Sequence, residues 1–298
     1  MTSFDNKFPG KDITPDDLVS KFPLAAKKSP DHKSRFEIAG VEFGGPLVPV
    51  FAGPNMVESE ELIVDVAVNM KRAGAHFLRG GAFKPLTFPY RSEKYGETRE
   101  LGIQWLATAK KETGMPIITE VMEERYIPLV SEVADILQIG SRNMQNFPFL
   151  TACAKSGLPI MLKRHYGASL RDWLGAAEYL LVEGNTKVIL CERGIVAPHT
   201  HRSTSRFLLD LQVVPAAQEV THLPVVVDPS HATFWAPWVR SMALASIAAG
   251  ADGVMLEVHP DPPRAAVDPL QPIDFAALSS LMNDMDSVAR AVGRRVTN

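Results

Sequence analysis

The chain has 298 residues, 46% hydrophobic and 22% charged, with a formal net charge of -3. That balance gives no support to a nucleic-acid surface or a polybasic membrane patch, and the length suits one large domain or two small ones. Two cysteines, Cys153 and Cys191, lie in apolar runs and offer no disulfide framework. No run reaches membrane-spanning length and the start of the chain lacks a signal-peptide core, so the expected location is the cytoplasm.

Residues 1–34 are rich in Lys, Asp and Pro and read as an arm, with one helix signal at Thr14 and Pro15. Residues 35–43 alternate and then turn at glycine, which predicts a short hairpin. From Val48 one pattern repeats: a short apolar run ends in Gly, Pro or polar residues, and an amphipathic segment follows. The runs are residues 48–53, 76–81, 116–121, 135–140, 159–164, 187–194, 224–231 and 253–260. Helices are clearest at Glu60–Ala73, Leu170–Glu183 and Trp238–Ala249. Strands apolar on both faces and alternating with helices predict a parallel sheet with helical crossovers. Eight such units close a barrel. The expected fold is therefore α/β, a (β/α)8 TIM barrel over residues 35–298 with a short N-terminal arm and hairpin. A doubly wound sheet is less suited, because AGPNMVES after the first run lacks dinucleotide-binding glycine spacing.

In such a barrel the chemistry sits where strand carboxyl ends meet the next loops. The stretch LRGGAFKP, Leu78 to Pro85, places Arg79 and Lys84 on either side of two glycines that permit close approach to a ligand. The other run ends carry Asn55, Glu120, Gln138 with Arg142, Lys163 with Arg164, Glu192 with Arg193, Asp228 with His231, and Glu257 with His259. Any one of these is an ordinary solvated rim charge. Together Arg79, Lys84, Arg142, Lys163, Arg164 and Arg193 form a cation cluster that suits a substrate bearing phosphate and carboxylate. His231, Glu257 and Asp268 form a second set. It could hold a divalent metal, or His231 and Glu257 could pair as acid and base, and spacing leaves both open.

From about Arg35 onward the chain resembles the 3-deoxy-arabino-heptulosonate 7-phosphate (DAHP) synthases and the related 3-deoxy-octulosonate 8-phosphate (KDO8P) synthases. The matching segments are AGPNMVES, LRGGAFKP, LQIGSRNMQNFP, LKR at 162–164, ILCERG at 189–194, VDPSHAT at 227–233 and EVHPDP at 257–262. IGSRNMQN and DPSHAT look more like the heptulosonate branch. The resemblance implies a transferase that joins carbon 3 of phosphoenolpyruvate to an aldehyde, with water adding at carbon 2 and phosphate leaving. It places Arg142 and Arg193 on the substrate phosphate, Lys163 and Arg79 near its carboxylate, and Gln138, Ser141 and His231 in the same site. Lys84 would protonate the new alkoxide, with His231, Glu257 and Asn55 completing the catalytic set. Family members are commonly tetramers, which implies a homo-oligomer, dimer or tetramer.

Three departures qualify that picture. Metal-dependent members have Cys where this chain has Asn55, a weaker ligand for thiolate-preferring metals, so the expectation is no required cofactor or a weakly bound Mn or Mg ion at His231, Glu257 and Asp268. The family's KPRTSPY reads KPLTFPY here, so Leu86 replaces the arginine that meets the acceptor phosphate, beside Thr87 and Phe88. That substitution suggests an acceptor other than erythrose 4-phosphate, larger or unphosphorylated. The segment after Gly194 is longer than the family's and carries His199, His201, Arg202 and Arg206, with Arg206 a candidate acceptor contact. The competing readings are an ordinary DAHP synthase and a catalytically silent relative that binds phosphoenolpyruvate or a partner enzyme. Retention of Lys84, Lys163, Arg142, Arg193, His231 and Glu257 argues against silence, since buried charges cost desolvation free energy.

Overall fold

The computed structural model describes residues 20–84, 97–205 and 207–297. A two-stranded antiparallel hairpin, β1 (Phe36–Ile38) and β2 (Val41–Phe43), leads into eight parallel strands. These are β3 (Val50–Gly53), β4 (Phe77–Arg79), β5 (Ile117–Glu120), β6 (Ile136–Ile139), β7 (Ile160–Lys163), β8 (Val188–Glu192), β9 (Val225–Val227) and β10 (Gly253–Glu257). They pair in chain order, and β10 closes on β3 to complete the barrel. The eight apolar runs of the sequence each supply one strand.

The main helices are α1 (Glu60–Ala73), α2 (Arg99–Thr113), α3 (Ile127–Ser131), α4 (Phe147–Lys155) and α5 (Leu170–Val182). The series continues with α6 (Val213–Val220), α7 (Pro229–Thr233), α8 (Ala236–Ala248) and α9 (Phe275–Ala291). Their ends follow local chemistry. Ser59 caps α1 by accepting from Leu62 N at 3.2 Å, and Gly74, with φ of 85°, stops it. Ser169 and Asp172 form a reciprocal capping box at the start of α5.

Strand periodicity builds the core and the site together. Side chains of a strand alternate sides, so the outward set of Val50, Leu78, Ile117, Leu137, Ile160, Val188, Val225 and Val254 packs under the helices. The inward set of Phe51, Phe77, Ile118, Ile136, Met161, Ile189, Val226 and Met255 fills the lumen. Hairpin residues Ile38 and Phe43 pack onto that lumen cluster, and the Phe43 ring lies tilted against Phe51 and Phe77, so the hairpin closes the barrel's amino-terminal end.

Part of the predicted arm is also fixed. Phe22, Ala25 and Ala26 are buried against the barrel, and Leu24 N and Ala25 N donate to the two carboxylate oxygens of Glu178, each at 2.9 Å. The helix signal at Thr14 and Pro15 lies outside the described residues. Both cysteines are free and buried, and among the described residues no helix is long and apolar enough to cross a membrane.

Candidate active site

Two residues beyond each inward apolar side chain, the same face of the strand reaches the carboxyl-terminal mouth. Phe77 leads to Arg79, Ile118 to Glu120, Ile136 to Gln138, Met161 to Lys163, Val226 to Asp228 and Met255 to Glu257. The lumen changes from hydrocarbon to charge within one pleat. Above it, among the described residues, lies a cavity of about 100 Å³, of a size that suits a small metabolite.

The cavity gathers the residues expected to hold phosphoenolpyruvate. Arg79, Lys84, Gln138, Ser141, Arg142, Lys163, Arg193 and His231 all line it. Glu120, Gly140, Tyr166 and Phe207 complete the wall. Tyr166 and Phe207 escaped the sequence reading, because loop aromatics carry no periodic signal. Their rings lie 5.4 Å apart, and the Arg193 guanidinium stacks over Phe207 at 4.4 Å. Arg164 is a correction to the expected cation cluster. It follows an inward lysine on a strand, so it points to the opposite side, where it pairs with Glu192 and Asp210.

Asn55 lies beneath the cavity rather than in its wall. Its Oδ1 accepts from Arg79 Nη2 at 2.6 Å and Lys84 Nζ at 2.5 Å, while its Nδ2 donates to Asp268 Oδ2 at 3.1 Å. Gly53 makes room for this: its φ is 147°, and a Cβ would overlap the Arg79 carbonyl oxygen. Burial, helped by Arg79, pushes the Lys84 ammonium below the usual lysine range.

The partner of His231 is Asp228, not Glu257. His231 Nδ1 lies 2.8 Å from Asp228 Oδ2, whereas Nε2 stands 3.7 Å from Glu257, beyond hydrogen-bond reach. The same Asp228 oxygen takes Lys163 Nζ at 2.7 Å, and its other oxygen caps α7 through His231 N at 3.0 Å. Burial favours a protonated Asp228, yet His231 and Lys163 hold its carboxyl well below the usual range. Burial is also the main influence on His231 and keeps its imidazole neutral. The Asp228 carboxylate beside Nδ1 assigns that nitrogen the proton, and Nε2 lies 3.3 Å from Asn55 Oδ1 and 3.4 Å from Arg79 Nη2. Glu257 is buried behind the wall, 3.6 Å from Arg79, and Gln271 Nε2 donates to it at 2.5 Å. Its own burial pushes its carboxyl upward.

This donor set does not fit a divalent ion. The Asn55 oxygen that stands in the ligand position is already occupied by two cationic donors, and the Asn55 amide donates to Asp268. The expected acceptor contacts Leu86, Thr87, Phe88 and Arg206 lie outside the described residues. Of the long segment after Gly194, His199 and His201 are exposed, and Arg202 stacks on Trp235 at 3.5 Å.

Residues 31–292 match the profile of the DAHP synthetase I family. Among curated relatives, a phospho-2-dehydro-3-deoxyheptonate aldolase of Thermotoga maritima is 37% identical over 279 residues, covering 94% of this chain and 81% of the relative. A 2-dehydro-3-deoxyphosphooctonate aldolase of Methylococcus capsulatus is 28% identical, covering 86% of this chain and 95% of the relative. The crystal structure of the Thermotoga maritima DAHP synthase superposes with a TM-score of 0.85 at 36% identity, covering 92% of this chain and 78% of that one.

Proposed function

The chain belongs to the DAHP synthetase I family, and from that premise we propose that its cavity condenses phosphoenolpyruvate with an aldose phosphate. The observation that carries this is the convergence of Arg79, Lys84, Arg142, Lys163 and Arg193 on one small cavity. Phosphoenolpyruvate is a trianion near neutral pH, and fixed cations in a water-poor site stabilise its charge without reorganisation. Arg142 and Arg193 take the phosphate, and Lys163 and Arg79 take the carboxylate. Carbon 3 of the enol attacks the aldehyde, water adds at carbon 2, and the C–O bond to phosphate breaks. Lys84, an acidified ammonium, donates the proton that the new alkoxide needs.

The relative at 37% identity is named for a seven-carbon product. Three of those carbons come from phosphoenolpyruvate, which supports a four-carbon acceptor, erythrose 4-phosphate, and hence a DAHP synthase. One observation favours a second reading. Leu86 offers no donor where the family's arginine meets the acceptor phosphate, which supports a larger or unphosphorylated aldehyde. In either case we read the enzyme as metal-independent, because Lys84 and Arg79 hold the Asn55 oxygen where an ion would need it.

Phosphate release from phosphoenolpyruvate, measured over four- and five-carbon aldose phosphates and their unphosphorylated forms, tests this. Ordinary turnover with erythrose 4-phosphate supports the first reading, and preference for another aldehyde supports the second. Release with none of them refutes the proposal. Loss of activity in a chelator, restored by Mn or Mg, would refute metal independence. Light scattering checks the dimer or tetramer that the resemblance implies.

A further inference from the structure

Behind the cavity wall lies a buried network that touches no substrate position. Arg164 Nη1 meets Glu192 Oε2 at 3.0 Å and Asp210 Oδ2 at 2.8 Å, and Arg164 Nε donates to the Ala168 carbonyl at 2.9 Å. Glu192 Oε1 accepts from Gly194 N at 2.7 Å and from Asp210 N at 3.4 Å. Asp210 Oδ1 accepts from Val213 N at 3.2 Å in the first turn of α6.

Each member is tied by the chain to a cavity residue. Arg164 follows Lys163, Glu192 precedes Arg193, and Asp210 lies three residues after Phe207. Strand alternation turns Lys163 and Arg193 inward and Arg164 and Glu192 outward, back to back. The network thus joins the ends of β7 and β8 to the segment that brings Phe207 under Arg193. Hydrophobic residues of equal volume could fill the same space with no loss of stability, so packing alone does not explain one cation held by two carboxylates. A planar guanidinium fixes the directions of its partners, which apolar packing does not.

We propose that Arg164, braced by Glu192 and Asp210, is a positioning residue that sets the separation of Lys163 and Arg193 and so the affinity for phosphoenolpyruvate, whose carboxylate and phosphate those two cations hold. The inference rests on the phosphoenolpyruvate reading and assigns residues that reading does not use. Loosening the brace lets the two cations drift apart, so that they no longer meet both anionic ends of the substrate at once.

The test compares Arg164→Lys, Arg164→Met and Asp210→Asn with the wild type in KM for phosphoenolpyruvate, kcat, and dissociation constants for phosphoenolpyruvate and inorganic phosphate. Isothermal titration calorimetry gives both dissociation constants. Asp210→Asn should raise KM and the phosphoenolpyruvate dissociation constant by about fivefold, change that for inorganic phosphate less, and leave kcat within about threefold, with Arg164→Met larger and Arg164→Lys between. If Arg164→Met does not fold, Asp210→Asn, which keeps the Arg164–Glu192 pair, carries the test. Folded Arg164→Lys and Asp210→Asn proteins that melt lower yet bind phosphoenolpyruvate like the wild type would overturn the proposal. A wild-type protein that binds no phosphoenolpyruvate would instead refute the functional reading.

Discussion

Replacing Asp228 with Asn tests the centre of the site most directly. One Asp228 oxygen holds both Lys163 Nζ, at 2.7 Å, and His231 Nδ1, at 2.8 Å, and the carboxylate is fully buried. Asparagine keeps the helix cap to His231 N, because one oxygen remains, but it turns an amide donor toward an ammonium. A buried lysine that loses its counter-ion costs about 3–5 kcal/mol. For a protein of this size that lowers the melting temperature by about 10 °C. The comparison is Asp284→Asn, which breaks an exposed pair with Arg240 of similar length and should cost only about 0–1 kcal/mol. Urea unfolding at pH 7 measures both, and phosphoenolpyruvate KM should rise with Asp228→Asn because Lys163 loses its anchor. The sign with pH follows from the depressed carboxyl. Its stabilisation is complete above the unfolded value near 4 and is lost as pH falls through the folded one. An Asp228→Asn protein within about 1 kcal/mol of wild type, with unchanged KM, would refute this account.

Three further outcomes follow from the same structure. Burial and Arg79 acidify Lys84, so the alkaline limb of kcat should fall below the pH of an ordinary lysine, and Lys84→Arg should lose that limb and about a hundredfold or more in kcat. Burial pushes the pKa of His76 down to about 4, and its Nδ1 accepts from Val50 N. The unfolded chain therefore takes up that proton first below about pH 6.5, so stability should drop by about 3 kcal/mol toward pH 4. His76→Asn, which keeps an acceptor, should flatten that slope in urea midpoints. Finally, a Cβ at Gly140 would overlap the Glu120 carboxylate, which Gln138 holds at 3.1 Å. Gly140→Ala should cost about 1–3 kcal/mol, and the added change Glu120→Ala should recover most of it in melting experiments.

The barrel was legible because each strand is apolar on both faces and each run ends in punctuation, so eight repeats could be counted without knowing any contact. The cavity's cations were legible for the same reason: Arg79, Lys163 and Arg193 stand where an inward face reaches the mouth. Arg164 misled because charge was read without parity, and one residue along a strand reverses the side. Asp228 was named beside His231 among the run ends, three residues before it at a helix start, but that capping spacing was not used to choose it over Glu257 as the partner of His231. Tyr166, Phe207 and Gln271 come from loops, where position depends on tertiary contacts that no local pattern encodes.

The hairpin at the foot of the barrel has a kinetic consequence. With Phe43 and Ile38 seated on the lumen residues, the far end is corked, and among the described residues the cavity opens at the opposite mouth. Reactants then queue: the one that lodges innermost arrives first, and whatever replaces it departs last. Initial-rate patterns of a compulsory sequence, rather than a random one, are the signature of such a dead-end chamber.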